Sequence, residues 1–262
     1  MRTLILTCIP GFLLFFSCKN TAVDKQTNNK GISLPPGTIT AIVSISELNC
    51  WVERGQFFVT GICDSKADEW QKFWLKMTPM DAEGRPLKVN GDTSSMFVTF
   101  SDAVPPYGRT SFFAGWPLEA FSGTPDSCIV TGAAALPVNP GPILVTSAQS
   151  GVRMLVPASP GDTVNVEKAW QVSVTIENPL DLPAYHPRIE LLLYGTDKRL
   201  WFATVLNPDD PDQKSYLFSE RQGAMEPKEK RNFGANITYD NLPQALQSKK
   251  IGRVEFQPFE SR

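Results

Sequence analysis

The stretch GQFFVTGIC, residues 55 to 63, sets Phe57, Val59, Gly61 and Cys63 on one side of a two-residue period and Phe58, Thr60 and Ile62 on the other. Apolar residues on both sides predict an inner strand. Farther along, KADEWQKFWLKM fits two periods at once. Trp70, Phe73, Trp74 and Met77 share a helical face, whereas Phe73, Leu75 and Met77 alternate as on a strand. Its counterpart in the second half, YHPRIELLLYG, starts with Pro187 and alternates Ile189, Leu191 and Leu193, which suits a strand entered through proline. Both segments are therefore predicted as strands. NLPQALQSKK (Asn241 to Lys250) predicts a short helix, and PLEAF (Pro117 to Phe121) is its first-half equivalent.

The same order of elements occurs twice. Each half runs through a strand, a polar loop, an apolar strand, a turn with Asp, a strand, a proline turn, a Phe-centred strand, a short loop or helix, and a final strand. Duplication of one domain is the economical explanation. The densest Pro/Gly punctuation, LPVNPGP at Leu136 to Pro142, marks the hinge between the copies. Short β-rich runs with turn signals between them predict an all-β chain of two tandem immunoglobulin-like β-sandwiches, residues 38–139 and 140–262.

The amino terminus has another pattern. Arg2 precedes an apolar run from Leu4 to Phe16, interrupted by Thr7, Pro10 and Gly11. A spanning helix needs about 20 apolar residues and a secretory signal about 7 to 15, so residues 1–17 read as a signal peptide. Residues 18–37 then read as a tether, because Asn20 to Pro36 has no aromatic residue and few apolar ones with which to offset its ordering entropy. Lys19 to Gly37 reaches about 60 Å fully extended, or roughly 25 Å as a coil.

Charge and cysteine usage narrow the function classes. Loss of residues 1–17 removes one of 25 basic and none of 27 acidic residues, leaving a net charge of about −3. No Lys/Arg stripe is present, and nucleic acid is not an expected partner. Beyond Cys8 and Cys18, the cysteines are Cys50, Cys63 and Cys128, so at most one internal disulfide can form. A hairpin turning near Arg54-Gly55 would not set Cys50 opposite Cys63, and the expected bridge involves Cys128, with Cys63 as its partner.

Catalytic chemistry is poorly supplied. His186 is the only histidine, and no phosphate-binding loop, nucleophile elbow or zinc-binding helix motif is present. No cofactor is expected. Asp209, Asp210 and Asp212 share the loop NPDDPDQ and are a weak calcium candidate, since they supply hard oxygens without the spacing of an EF-hand. Trp74 and Trp201 lie within apolar strands and read as core. Trp51 and Trp116 lie nearer turns and are the candidate ligand or partner contacts, able to stack on a sugar or anchor an interface.

Two family resemblances add to these readings. Ser17-Cys18, after the apolar run, resembles the lipobox of bacterial lipoproteins of the Bacteroidota or spirochaete kind. It implies acylation at Cys18, and Lys19 beside it implies the outer membrane of a didermic cell. LLLYGTD (Leu191 to Asp197), with TIENP before it and MEPKEKRNF after it, resembles the FxLYD-like immunoglobulin-like modules of exported bacterial proteins. That resemblance bears on fold and not on activity. The expectation is a lipid-anchored, non-catalytic interaction or scaffold module whose partner is another envelope protein. A carbohydrate-binding or adhesive lipoprotein is the first alternative, and a hydrolase with a carboxylate site the second.

Overall fold

The structure is a computed structural model that describes residues 33–155, 169–207, 217–219, 223–238, 242–248 and 251–260. Cys18, the signal and most of the tether, and Asp209, Asp210 and Asp212 lie outside the described residues. The fold is all-β. The first half contains β1 (Val43–Glu53), β2 (Gln56–Ser65), β3 (Gln71–Met80), β4 (Ser95–Val98), β5 (Arg109–Pro117) and β6 (Ser127–Pro137). The second contains β7 (Val145–Leu155), β8 (Ala169–Glu177), β9 (Pro187–Gly195), β10 (Leu200–Leu206), β11 (Leu217–Ser219), β12 (Lys230–Thr238) and β13 (Ile251–Glu260). A 3-10 turn at Leu118–Ala120 precedes β6, and the helix α1 (Gln244–Ser248) precedes β13.

Each half builds two antiparallel sheets from its own strands. The first half has the orders β1-β2-β5 and β4-β3-β6, and the second β11-β12-β8-β7 and β10-β9-β13. With β11 as an addition, the two topologies superimpose strand for strand, which is the order expected of a duplicated sandwich. The segment of double periodicity is β3, a strand, and so is its counterpart β9. Pairing on both sides settles it, since β3 lies between β4 and β6.

The halves are not beads on a string. One buried cluster lies between the first-half sheets and contains Phe57, Val59, Cys63, Phe73, Leu75, Met77, Phe112 and Trp116. The other fills the second sandwich and also takes in Ile62 and Phe113 of the first half, with Trp51 and Phe58 packed against it. The sheet β1-β2-β5 is thus covered on both faces, by its own partner sheet and by β10-β9-β13. This is why both faces of GQFFVTGIC are apolar, since burial of each such side chain contributes about 1.5–3 kcal/mol. The hydrogen-bonding boundary falls between β6 and β7, whereas the packing boundary disappears inside a shared core.

An irregularity in β1 makes this double coverage work. Ser46 pairs with Ile62 and Asn49 with Thr60, so β1 carries one residue more than β2 between those points, and Glu47 takes the left-handed conformation with φ 51°. The bulge reverses the alternation. Ala41, Val43 and Ile45 pack on the first-half core, and after the bulge Cys50 does so too. Asn49 and Trp51 turn to the second half, where the Asn49 amide donates to the Leu200 carbonyl at 2.9 Å and Trp51 packs on the core.

Candidate functional site

A cluster of fully buried polar groups lies at the joint between the halves. In β9, Ile189, Leu191 and Leu193 alternate with Glu190, Leu192 and Tyr194, and all six are buried. Glu190 is 1 % exposed. It crosses to β5, where Thr110 Oγ1 donates to Glu190 Oε1 at 2.6 Å and the Ser111 backbone N–H donates to Oε2 at 2.6 Å. The Ser111 hydroxyl adds a third bond to Oε2. Burial pushes the Glu190 carboxyl up to about 7 despite those donors and the nearby Arg109 guanidinium, all of which favour the ionised form.

Beside Glu190 is a cavity of about 100 Å³, walled by Trp70 and Arg109 from the first half, Leu144 from the link, and Gln257 and Glu260 from β13. It admits a few water molecules and not a sugar ring. Glu190 engages both oxygens on Thr110 and Ser111 and also lines the cavity, so it ties the β5 and β9 sheets together at its wall.

Tyr194, next on the same face of β9 after Leu192, extends the weld. Its hydroxyl donates to Glu255 Oε2 at 3.3 Å, and the Arg253 guanidinium stacks on its ring at 3.7 Å from the centroid. Burial, together with Glu47 and Glu255, raises its phenol above the usual value. An aromatic group completes the joint: Trp51 lies 5.5 Å from Phe58 and 5.2 Å from Trp201, and Phe113 lies 5.7 Å from Phe202, measured between ring centroids.

Of the tryptophans expected to be contacts, Trp116 is buried and Trp51 is partly buried. Trp116 is 2 % exposed, with its indole N–H donating to Ser95 Oγ at 3.2 Å, and Trp51 is packed within the joint. Trp116 is buried although it lies near a turn, because its side chain points into the core between the first-half sheets. The cysteines are also rearranged. Cys50, Cys63 and Cys128 are free thiols, and the bridge expected between Cys63 and Cys128 is not formed. Both side chains belong to the first-half core, but Cys128 has the Cys50 thiol as its hydrogen-bond partner. Among the described residues no three His, Cys, Asp or Glu side chains gather as a metal site.

A second feature lies at the surface, on the loop between β8 and β9. Asn178 is fully buried at the end of β8; its amide nitrogen reaches the carbonyls of Leu182 at 2.7 Å, Glu226 at 3.2 Å and Met225 at 3.3 Å, while its carbonyl accepts from the Leu180 N–H at 3.1 Å. One side chain thus ties the loop to the turn before β12. Lys228 fastens the other side, donating to the Pro179 carbonyl at 2.6 Å and pairing with Asp181 at 3.1 Å. On this frame Leu180, Leu182 and Tyr185 are 38 %, 70 % and 58 % exposed. His186 follows them with φ 48°. The Asn of TIENP and the turn of MEPKEKRNF, read separately from the sequence, are two ends of one hydrogen-bonded device.

No family model matches the chain, and no curated protein matches it. Among solved structures, red sea bream transglutaminase is similar at 13 % identity and a TM-score of 0.22, over 86 % of this chain and 30 % of that one. The chain therefore spans less than a third of that enzyme's length, and at that TM-score the likeness carries no argument.

Proposed function

We propose that the chain is a lipid-anchored lipoprotein of the bacterial cell envelope, held by Cys18 to the outer membrane and set off from it by residues 19–37, where it acts as a non-catalytic interaction or scaffold module. The partner in this reading is another envelope protein. The supporting observation is the β8–β9 loop, on which Leu180, Leu182 and Tyr185 stand exposed on a backbone already fastened by Asn178 and Lys228. A pre-ordered loop loses little conformational freedom on docking, and exposed apolar side chains gain from being covered. The double coverage of β1-β2-β5 supports the scaffold part, because it makes the two sandwiches one stiff body. The carbohydrate alternative keeps Trp51, which is partly exposed, and loses Trp116, which is buried.

Crosslinking in the native cell tests the reading. A discrete envelope protein is expected to crosslink to the wild-type chain and to be lost with the double variant Leu182→Asp, Tyr185→Asp, whose melting temperature should match wild type because both side chains are exposed. An unchanged crosslinking pattern would rule out this loop as the contact. Cys18→Ser should move the chain from the membrane to the soluble fraction, and unchanged fractionation would remove the anchor from the proposal.

A further inference from the structure

The bulge in β1 has a chemical consequence beyond packing. It turns Cys50 toward β6, where Cys128 donates a hydrogen bond to it. Close approach of the two strands is visible at the other end as well: a Cβ added at Gly132 of β6 would lie 2.8 Å from a methyl of Val43 and 2.9 Å from Cβ of Ala41. β1 and β6 therefore run side by side at the open flank of the first sandwich, each an edge strand of its own sheet. The paired thiols connect those two edges.

We propose that Cys50 and Cys128 form a dithiol–disulfide couple that locks the two sheets of the first sandwich together, with Cys63 excluded from it. Cys50 is only partly buried and is the thiol an external disulfide can reach. The hydrogen bond from Cys128 lowers its pKa, which raises its thiolate fraction. Cys128 is pushed the other way, by that same bond and by burial, and serves as the resolving thiol. Cys63 is fully buried, and burial, with Asp64 and Glu190 nearby, pushes it up to about 12.

The co-reactant is a disulfide, either a small molecule such as oxidised glutathione or an exported thiol–disulfide oxidase. The Cys50 thiolate attacks one of its sulfurs, forming a mixed disulfide and releasing one thiolate. Cys128 gives up its proton and attacks Cys50 Sγ, forming the internal bond and releasing the second thiolate. Two electrons pass from the protein to the co-reactant, and the two protons end on the two released thiols. The bond would close the long loop from position 50 to position 128, and loops of that length gain most from closure in the unfolded chain.

Purified full-length chain equilibrated with oxidised glutathione tests this without regard to where the protein resides. After denaturation without reductant, alkylation and digestion, the expected products are a Cys50–Cys128 linked peptide, two hydrogens lighter than its parts, and an alkylated Cys63. The oxidised chain should melt at a temperature higher by about 5 °C or more than the reduced one. Cys63→Ser should keep that difference and Cys50→Ser should abolish it. Recovery of Cys50 and Cys128 as alkylated or singly glutathionylated residues, or of a linked peptide containing Cys63, would overturn the proposal. The wild-type peptide map decides the matter even where a serine variant fails to fold.

Discussion

Glu190 is a charged residue set among Ile189, Leu191, Leu192 and Leu193 in β9, and its position explains it. A carboxylate at 1 % exposure survives because Thr110 and Ser111 satisfy both oxygens. Its folded value of about 7 stands above the ordinary carboxyl value of 4.5. The folded chain therefore binds a proton that the unfolded chain has released between those two values. The group's contribution is complete below pH 4.5 and lost as pH rises to about 7, an effect of order 3 kcal/mol. Denaturant unfolding measured across this range for wild type and Glu190→Gln should give stability curves that converge in slope above pH 7 and diverge below it, the variant lacking the decline. Parallel curves would show that Glu190 stays ionised throughout. Nothing in the sequence marked this residue, because an isolated Glu in an apolar run looks the same whether it faces water or another sheet.

At the scale of elements, most of what the pattern predicted has a counterpart. The strand assignment of KADEWQKFWLKM, the turn at Arg54-Gly55, the short helix after Pro243 and the 3-10 turn after Pro117 are all present. These are decided by local backbone chemistry. Arg54 and Gly55, for example, both take positive φ, 52° and 73°, as a tight hairpin requires. Loop anchoring is decided otherwise, by a side chain reaching across sequence. Asn178→Ala should leave three carbonyls and one N–H without the partner that holds them and destabilise the chain by about 2–3 kcal/mol. Hydrogen exchange at Leu180, whose N–H bonds to Asn178, should rise by more than that at β8. Equal protection in variant and wild type would assign the loop's order to Lys228 and the Ala184–Met225 backbone pair instead.

The whole molecule is one body by packing and two by hydrogen bonding, and the difference can be measured. Residues 140–262 expressed alone keep every strand pairing of the second half. They lose the cover that Ile62, Phe113, Phe58 and Trp51 provide. At roughly 25 cal/mol per Å² of newly exposed apolar surface, the isolated half should be several kcal/mol less stable or should self-associate. An isolated half that stays monomeric and matches the full chain in denaturant midpoint would show the shared core to be energetically idle. The sequence alone determined the all-β class and the repeated strand order, because two-residue periodicity and turn chemistry are local. Tertiary structure decided which faces meet, and hence that Trp51 packs against the second half, that Cys128 meets Cys50, and that Glu190 joins the halves. A single bulge at Glu47 reverses every side chain after it, and only the pairing of β1 with β2 reveals that extra residue.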